Sequence, residues 1–345
     1  MKATPEQAQR YPFLAAWVAA TIFFGWQFVQ AKYPPEPKLN GISTLVMLLC
    51  TVALLVSIPN PIRSEPSQNP TKTGPFVLLI LISTGILFLI PTRMDKPSFF
   101  PLLFFALPII TIVTLILLKQ SLGKREVLYA FVLALLAGIT GQGDGRIPFA
   151  SPALWSILQI FIVPTSLLAG WSILRYTGLR IEGVGKSRFL SDGSSAAFKA
   201  FLSGLLIAIP WAFINVFVAG TNPEAWALRD GWLKAWWQPV LALQPGIAEE
   251  AWGRIFLVPL FFLIFRQVSQ PRAAFTAALY MVGYWFAYLH TPGGWGGIQN
   301  AVVLGTLYSL PLSYLCLYRD LETAIGFHFW VDFIRFAFAF ILFSH

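Results

Sequence analysis

Long apolar stretches, each bounded by a few polar residues, alternate along most of the chain. A stretch of about 20 mostly apolar residues is long enough to cross a bilayer as an α-helix. Counted at that length, the pattern predicts about eleven membrane-spanning helices. They lie near 12–30, 42–58, 75–91, 98–118, 127–140, 153–174, 197–220, 237–265, 273–290, 298–317 and 323–343. The fifth is short enough for a re-entrant segment, and Pro245-Gly246 is expected to break the eighth.

The composition supports an all-α membrane protein. Of the 345 residues, 57% are hydrophobic and 11% are charged, and the mean hydropathy is +0.68. A soluble domain carries about 25% charged residues, which this chain lacks. We therefore predict an integral, multi-pass transmembrane helical bundle that is surrounded by membrane lipids. The first apolar stretch lacks a convincing cleavage site, so we expect a retained span there rather than a signal peptide.

The formal net charge of +9 reflects basic residues scattered over the short connections between the apolar stretches. No basic block is interleaved with exposed aromatic residues, so nucleic acid is not an expected partner. More of the lysines and arginines fall in the N-terminal tail and every second connection than in the alternate ones, which predicts a cytoplasmic N-terminus. Cys50 and Cys316 lie within apolar stretches and are expected to pack as small residues.

The most informative positions are ionisable side chains inside predicted spans of the last hundred residues. An ionisable group at the bilayer centre costs about 2.5–3.5 kcal/mol on insertion scales, so its presence indicates a function. The segment "GIAEEAWGRIFL" contains Glu249, Glu250 and Arg254, "YWFAYLH" ends at His290, and "GFHFWVDFIRF" contains His328, Asp332 and Arg335. A purely structural, hydrogen-bonding role becomes less plausible as these groups accumulate.

Helical spacing assigns different partners to the two glutamates. Glu250 and Arg254 are four residues apart, which suits an ion pair on one helix face. Glu249 is five residues from Arg254, about 140° around a regular helix. It is therefore expected to face another helix, where a carboxylate in apolar surroundings suits a general base.

His328, Asp332 and Arg335 follow at i, i+4 and i+7, on one helical face. In one interpretation, Asp332 and Arg335 form a salt bridge and His328 only packs. In the other, Arg335 keeps Asp332 ionised and Asp332 orients the imidazole. Phe286 precedes His290 by four residues, so its ring is expected to pack beside that histidine.

These three segments resemble the motifs of the CPBP family of intramembrane proteins. The family comprises the type II CAAX prenyl endopeptidases and the bacteriocin-processing, self-immunity or abortive-infection proteins. The pattern EExxxR, FxxxH and HxxxD occurs here in the family's order, on three separate apolar stretches within residues 245–335. The resemblance implies that residues 123–345 form a protease-like domain with an eight-helix core. Residues 1–122 would be an N-terminal transmembrane extension of unknown role.

The resemblance implies an intramembrane glutamic endopeptidase that needs no cofactor. Its substrate would be a membrane-associated peptide or protein, in some members a lipidated one. By the same resemblance, Glu249 activates a water molecule and His290 helps to hold it, while His328 and the residue four after it stabilise the oxyanion.

Two supporting assignments and one departure from the family pattern also follow from the resemblance. Glu250 and Arg254 would support the catalytic groups. The prenyl proteases have HxxxN, where the asparagine amide can donate a hydrogen bond to the oxyanion. Asp332 donates only when protonated and repels an oxyanion otherwise, so it either donates or orients His328.

Other functions use the same residue types. Glutamate, histidine and aspartate also bind zinc, so an intramembrane metalloprotease is an alternative, although no HExxH motif is present. A non-catalytic scaffold or immunity protein is a second alternative. A transporter is less favoured, because the polar groups are confined to the C-terminal stretches and no inverted repeat is apparent.

The single-site prediction has one geometric requirement. Strict alternation of spans places Glu249 and His290 near one side of the membrane, whereas His328 lies a few residues into a helix that starts from the other side. A common site therefore requires these groups to converge near mid-depth.

Overall fold

The computed structural model describes residues 96–141, 150–178, 186–221, 227, 232–267, 271–290, 301 and 304–343. Within these ranges every regular element is helical, which confirms the all-α prediction. The predicted spans at 12–30, 42–58 and 75–91, together with Cys50, lie outside the described residues. The predicted boundary between residues 122 and 123 therefore stays a prediction.

The described helices coincide with the predicted apolar stretches from the fourth onward. The first five are α1 (Lys96–Leu118), α2 (Lys124–Gly141), α3 (Pro152–Thr177), α4 (Arg188–Asp192) and α5 (Ser194–Thr221). A 3-10 segment (Gln238–Ala242), α6 (Leu243–Glu249), a π-helical segment (Glu250–Leu257) and α7 (Val258–Phe265) follow. The rest are α8 (Pro271–Leu289), a second π-helical segment (Gly305–Ser309), α9 (Leu310–Tyr318) and α10 (Leu321–Phe343).

Three of these helices are long and apolar enough to cross a membrane. They are Pro152–Thr177, Ser194–Phe213 and Leu321–Leu342, judged by length and composition over the described part of the chain. This supports the prediction of a membrane protein. The short fifth stretch forms α2, a continuous helix of 18 residues.

Chain contacts divide the described residues into two compact units. The main unit comprises residues 96–264 and 315–343, and the second unit comprises residues 265–314. Each unit is described by itself below. Six of the eight predicted site residues belong to the main unit, and Phe286 and His290 belong to the second.

Helix α3 is the buried centre of the main unit. It packs against α1, α2 and the π-helical segment, and most of its length is inaccessible. Its N-terminus is capped by Ser151, whose hydroxyl accepts a hydrogen bond from the Leu154 N–H, and Pro152 follows at the first helical position. Both features are typical of helix starts. At the other end, Gly178 adopts φ +62°, a left-handed conformation that ends the helix.

Glycines allow two pairs of backbones to approach closely. A Cβ added at Gly170 of α3 would overlap the Ile255 carbonyl of the π-helical segment. A Cβ added at Gly326 of α10 would overlap the carbonyl group of Phe201 of α5, and one at Gly204 would overlap the backbone of α10 at residues 326–327. Small residues at helix contacts of this kind are characteristic of packing in membranes.

Within the main unit, the segment before α6 explains how the glutamates come level with His328. Leu233 and Ala242 pack in one cluster with Phe329, Phe336 and Ala339, which lie beyond His328 on α10. Helix α6 therefore begins opposite the middle of α10 rather than at its end. Its glutamates reach His328 without crossing the full depth of the bundle.

The expected break at Pro245-Gly246 is wrong. Both residues lie inside α6, and the irregularity occurs earlier, in the 3-10 segment Gln238–Ala242. Proline at the third position of a helix removes an N–H that has no intrahelical partner there. Gly246 is needed for proximity, because a Cβ there would lie 3.3 Å from the Phe329 nitrogen.

One end of α10 is held by a buried carboxylate. Glu322 accepts hydrogen bonds from the Tyr129 hydroxyl at 2.8 Å, from the Ser187 hydroxyl, and from the N–H groups of Arg188 and Phe189 at 2.9 and 3.0 Å. These donors come from α2 and from the start of α4. The connection after α3 is therefore partly helical and is attached to α10.

The second unit contains a comparable close helix contact. Gly305 lies against the Tyr284 ring, and the Tyr284 hydroxyl is 3.0 Å from the Thr306 hydroxyl. Tyr288 is fully buried in a cluster with Ala287 and Ala301. These contacts attach the π-helical segment Gly305–Ser309 to α8.

The Gly326 contact predicts a specific sensitivity of the main unit. Gly326→Ala is expected to force α10 away from α5 and to lower the free energy of unfolding by about 1–3 kcal/mol, the usual cost of overpacking. Unfolding in mixed micelles, followed by circular dichroism, measures the change. Gly123→Ala is the matched control, because a Cβ there meets only the Glu126 side chain at 3.4 Å. Equal stability of both variants would contradict the tight helix contact.

Candidate functional site

The His328 imidazole lies at the centre of a cluster of carboxylates in the main unit. Its Nδ1 is 2.9 Å from Glu250 Oε1, which is hydrogen-bonding distance. Its Nε2 is 3.6 Å from Glu249 Oε2 and 3.7 Å from Asp332 Oδ2. The structure thus brings together the first and third sequence motifs around one ring.

The two glutamates occupy the junction of an α-helix and a π-helix. Glu249 is the last residue of α6, and Glu250 is the first residue of the π-helical segment. π-Helical turns are rare and occur frequently at functional sites. The predicted ion pair is present, with Arg254 Nη1 3.4 Å from Glu250 Oε1. Glu249 faces the neighbouring helix α10, as predicted, but Glu250 contacts that helix as well.

Side-chain exposure separates the cluster into two groups. Glu250 and Arg254 are 0% and 2% exposed. Glu249 is 20% exposed, Asp332 17% and His328 12%. The second group is therefore partly accessible, whereas the first is sealed inside the protein.

On the C-terminal helix, Asp332 lies next to both Arg335 and His328. Asp332 Oδ1 lies 3.4 Å from Arg335 Nη1, while Asp332 Oδ2 faces the His328 ring. The Arg335 guanidinium also lies 4.5 Å from the centre of the Phe336 ring. Asp332 thus contacts a cation on one side and the imidazole on the other.

Cys316 is a member of this cluster that the sequence pattern does not indicate. It is 2% exposed, and its Sγ lies 3.5 Å from Glu250 Oε2. The expectation of a purely packing cysteine is therefore incomplete, because the thiol contacts the sealed carboxylate. No spacing rule connects residue 316 to residue 250, so only the fold reveals the contact.

Phe286 and His290 behave as predicted within the second unit. Their rings are 4.6 Å apart between centroids, and His290 Nδ1 is 2.8 Å from the Phe286 carbonyl oxygen. Phe286 is buried, and His290 is the exposed residue that follows α8. The imidazole is therefore held against its own helix.

Metal binding was the main alternative chemistry for these residue types. Over the described part of the chain, no three histidine, cysteine, aspartate or glutamate side chains are arranged to hold a metal ion. In the main unit, Glu249 and Asp332 both approach Nε2 of His328, at 3.6 and 3.7 Å. These distances suit a shared water molecule between the side chains.

Comparison with known proteins identifies a family for the segment that contains this cluster. Residues 230–334 match the family model of the type II CAAX prenyl endopeptidase Rce1-like proteins. The match includes all three sequence motifs and confirms the resemblance to CAAX proteases, a family of peptidases. No curated protein and no solved structure matches the chain.

The sealed ion pair predicts a large effect on stability. Arg254→Met leaves the buried Glu250 carboxylate without its guanidinium, and removal of one partner of a buried pair costs about 3–5 kcal/mol. Glu250→Met/Arg254→Met replaces the pair by apolar side chains and is expected to recover most of that loss. Unfolding of the wild type, both single variants and the double variant in mixed micelles measures the coupling. Additive effects of the two substitutions would contradict a coupled buried pair.

Proposed function

We propose, from the match of residues 230–334 to a family model of peptidases, that the protein is an intramembrane endopeptidase. It would hydrolyse a peptide bond of a membrane-associated or lipidated peptide or protein. The observation that carries this proposal is the accessible group Glu249, His328 and Asp332, placed beside a sealed ion pair. A general base and a hydrogen-bond donor for an oxyanion are the minimum that metal-free amide hydrolysis requires.

In the proposed reaction, Glu249 accepts a proton from a water molecule as the water oxygen attacks the peptide carbonyl carbon. The resulting oxyanion accepts a hydrogen bond from Nε2–H of His328, which in this step carries a proton on each ring nitrogen. When the tetrahedral intermediate collapses, the C–N bond breaks and the proton held by Glu249 passes to the departing amine. The products are a carboxylic acid and an amine, which exchange a proton to become a carboxylate and an ammonium group, and Glu249 returns to its ionised form.

Two further roles complete the proposed mechanism. Asp332 orients His328 rather than donating to the oxyanion: its Oδ1 lies 3.4 Å from Arg335 Nη1, and its Oδ2 faces the imidazole. His290 holds the attacking water, a role that is taken from the family motif.

We also propose the membrane arrangement that the sequence predicts: about eleven spans, an eight-helix core within residues 123–345, and a cytoplasmic N-terminus. The basic connections of the main unit support the orientation because they share one end. Arg125 donates to the Leu190 carbonyl at 2.9 Å, and Arg175 pairs with Glu126. Such a basic end is expected on the cytoplasmic side.

The proposed base predicts a loss of cleavage with one substitution. Glu249→Gln keeps the shape of the side chain but cannot accept the proton, so the cleavage rate is expected to fall by about 10²–10⁴-fold. Mass spectrometry of peptides incubated with the purified protein measures cleavage. The peptides are C-terminally prenylated sequences, their unmodified counterparts and leader-type peptides. Asp192→Asn, a change to an exposed carboxylate of α4, is the matched control and is expected to cleave normally.

The same assay separates the alternative functions. Cleavage that is lost on chelation and restored by zinc would assign the reaction to a metal. Equal cleavage by wild type and Glu249→Gln would remove Glu249 from the chemistry. The absence of cleavage of every peptide by the wild type would favour a scaffold or immunity protein. A preference for the prenylated peptide over its unmodified counterpart would assign a lipidated substrate.

The role of Asp332 predicts different outcomes for two substitutions. Asp332→Asn keeps a hydrogen-bond acceptor for His328 and adds an N–H that can donate to the oxyanion. We expect its cleavage rate to remain within about tenfold of wild type, the equivalent of one net hydrogen bond. Asp332→Leu removes both capacities and is expected to lose about 10²–10³-fold. Equal losses in the two variants would show that a negative charge at residue 332, rather than hydrogen bonding, is required.

A further inference from the structure

Glu250 contacts two more side chains besides its ion-pair partner Arg254. Oε1 receives His328 Nδ1 at 2.9 Å and Arg254 Nη1 at 3.4 Å, and Oε2 faces the Cys316 thiol at 3.5 Å. The partners come from α10, from the π-helical segment itself and from α9. The histidine is the nearest of the three, so the carboxylate is positioned for the imidazole at least as much as for the guanidinium.

The identity of these groups determines where one proton lies. An ionised carboxylate only accepts hydrogen bonds, and the arginine beside it keeps its charge. The nitrogen that is 2.9 Å from the carboxylate must then be an N–H donor. With Nδ1 committed to this hydrogen bond, the contacts of the imidazole with other groups fall to Nε2.

The consecutive residues Glu249 and Glu250 can both contact His328 because their side chains leave the helix in different directions. Neighbouring side chains of a helix are about 100° apart, so they approach an adjacent side chain from two directions. Glu250 meets the Nδ1 edge of His328, and Glu249 approaches the Nε2 edge. The first contact is sealed, and the second lies among partly exposed side chains.

We propose that Glu250, held by Arg254 and Cys316, is the positioning residue that fixes the ring orientation of His328 and keeps a proton on its Nδ1. Nε2 is then directed toward Glu249 and Asp332, where the reaction is proposed to occur and where an Nε2–H can donate to the oxyanion. The effect on cleavage rests on the proposed endopeptidase function. The Nδ1 proton itself does not, since it is a property of the protein without substrate.

Nitrogen NMR of the histidines directly tests whether Nδ1 of His328 carries a proton. The chain has only three histidines, at positions 290, 328 and 345, so ¹⁵N-histidine labelling of the full-length protein in lipid nanodiscs gives few signals. His328→Gln assigns the relevant ring by loss of its signals. We expect wild-type His328 to have a proton on Nδ1. An unprotonated Nδ1 in the wild type would overturn the proposal.

The double variant Glu250→Met/Arg254→Met tests whether Glu250 is the cause. It removes the acceptor without leaving a buried charge, so the protein is expected to fold. The Nδ1–H form of His328 is expected to change from the dominant species to a minor one. Glu249→Gln is the matched control and should keep the Nδ1 proton, since Glu249 approaches only Nε2. An unchanged Nδ1 proton in the double variant would exclude Glu250 as the positioning residue.

Cys316 provides a milder test in the cleavage assay. Cys316→Ala removes the thiol contact with Glu250 while leaving every proposed catalytic residue in place. We expect kcat to fall severalfold with KM unchanged, and Cys316→Ser, which restores a donor, to recover part of the loss. A change confined to KM would contradict a role through Glu250. If no peptide is cleaved, the proposed function fails, but the NMR result still decides whether Nδ1 of His328 carries a proton.

Discussion

The sealed Glu250 carboxylate is the constraint on which the site depends. A charge removed from water costs several kcal/mol unless a counter-charge and hydrogen bonds replace its hydration. Here a guanidinium, an imidazole and a thiol supply that replacement from three helical elements. Each contact requires a particular depth and rotation of its helix. The buried charge therefore selects one arrangement of α9, α10 and the π-helical segment among the many that apolar packing alone would allow.

The surrounding helices satisfy this constraint through close backbone contacts and one irregular entry. Gly170 lets α3 lie directly against the π-helical segment at Ile255, and Gly204 with Gly326 does the same for α5 and α10. The 3-10 segment starts α6 inside the bundle, opposite the middle of α10. Regular spans of full length would have kept Glu249 and His328 at different depths. The convergence thus comes from a departure from regular helix geometry immediately before the two glutamates.

Sequence reasoning captured what periodicity and spacing control. The helices from residue 96 onward, the Glu250–Arg254 pair and the Asp332–Arg335 pair follow from hydropathy and from i, i+3 or i, i+4 neighbours. Contacts between helices could not be predicted in this way. They depend on how deep each helix lies and how it is rotated about its axis, and neither follows from local residue spacing. The Cys316 thiol beside Glu250 is one such contact. The π-helical geometry after Glu249 is another feature without a sequence signal. The angle of 100° per residue, from which we expected only Glu249 to face another helix, applies to a regular α-helix, whereas both glutamates approach His328.

The far end of α10 explains how a partly exposed histidine can nevertheless keep a defined position. Glu322 lies six residues before His328, close to two helical turns, and it is fixed by four hydrogen bonds from α2 and the start of α4. Glu250, which belongs to the π-helical segment, contacts the imidazole of His328 farther along α10. Two buried carboxylates, one on α10 and one facing it, therefore restrain both the translation and the rotation of this helix. The more exposed side chains beside the ring, Glu249 and Asp332, approach its Nε2 edge and are not part of either anchor.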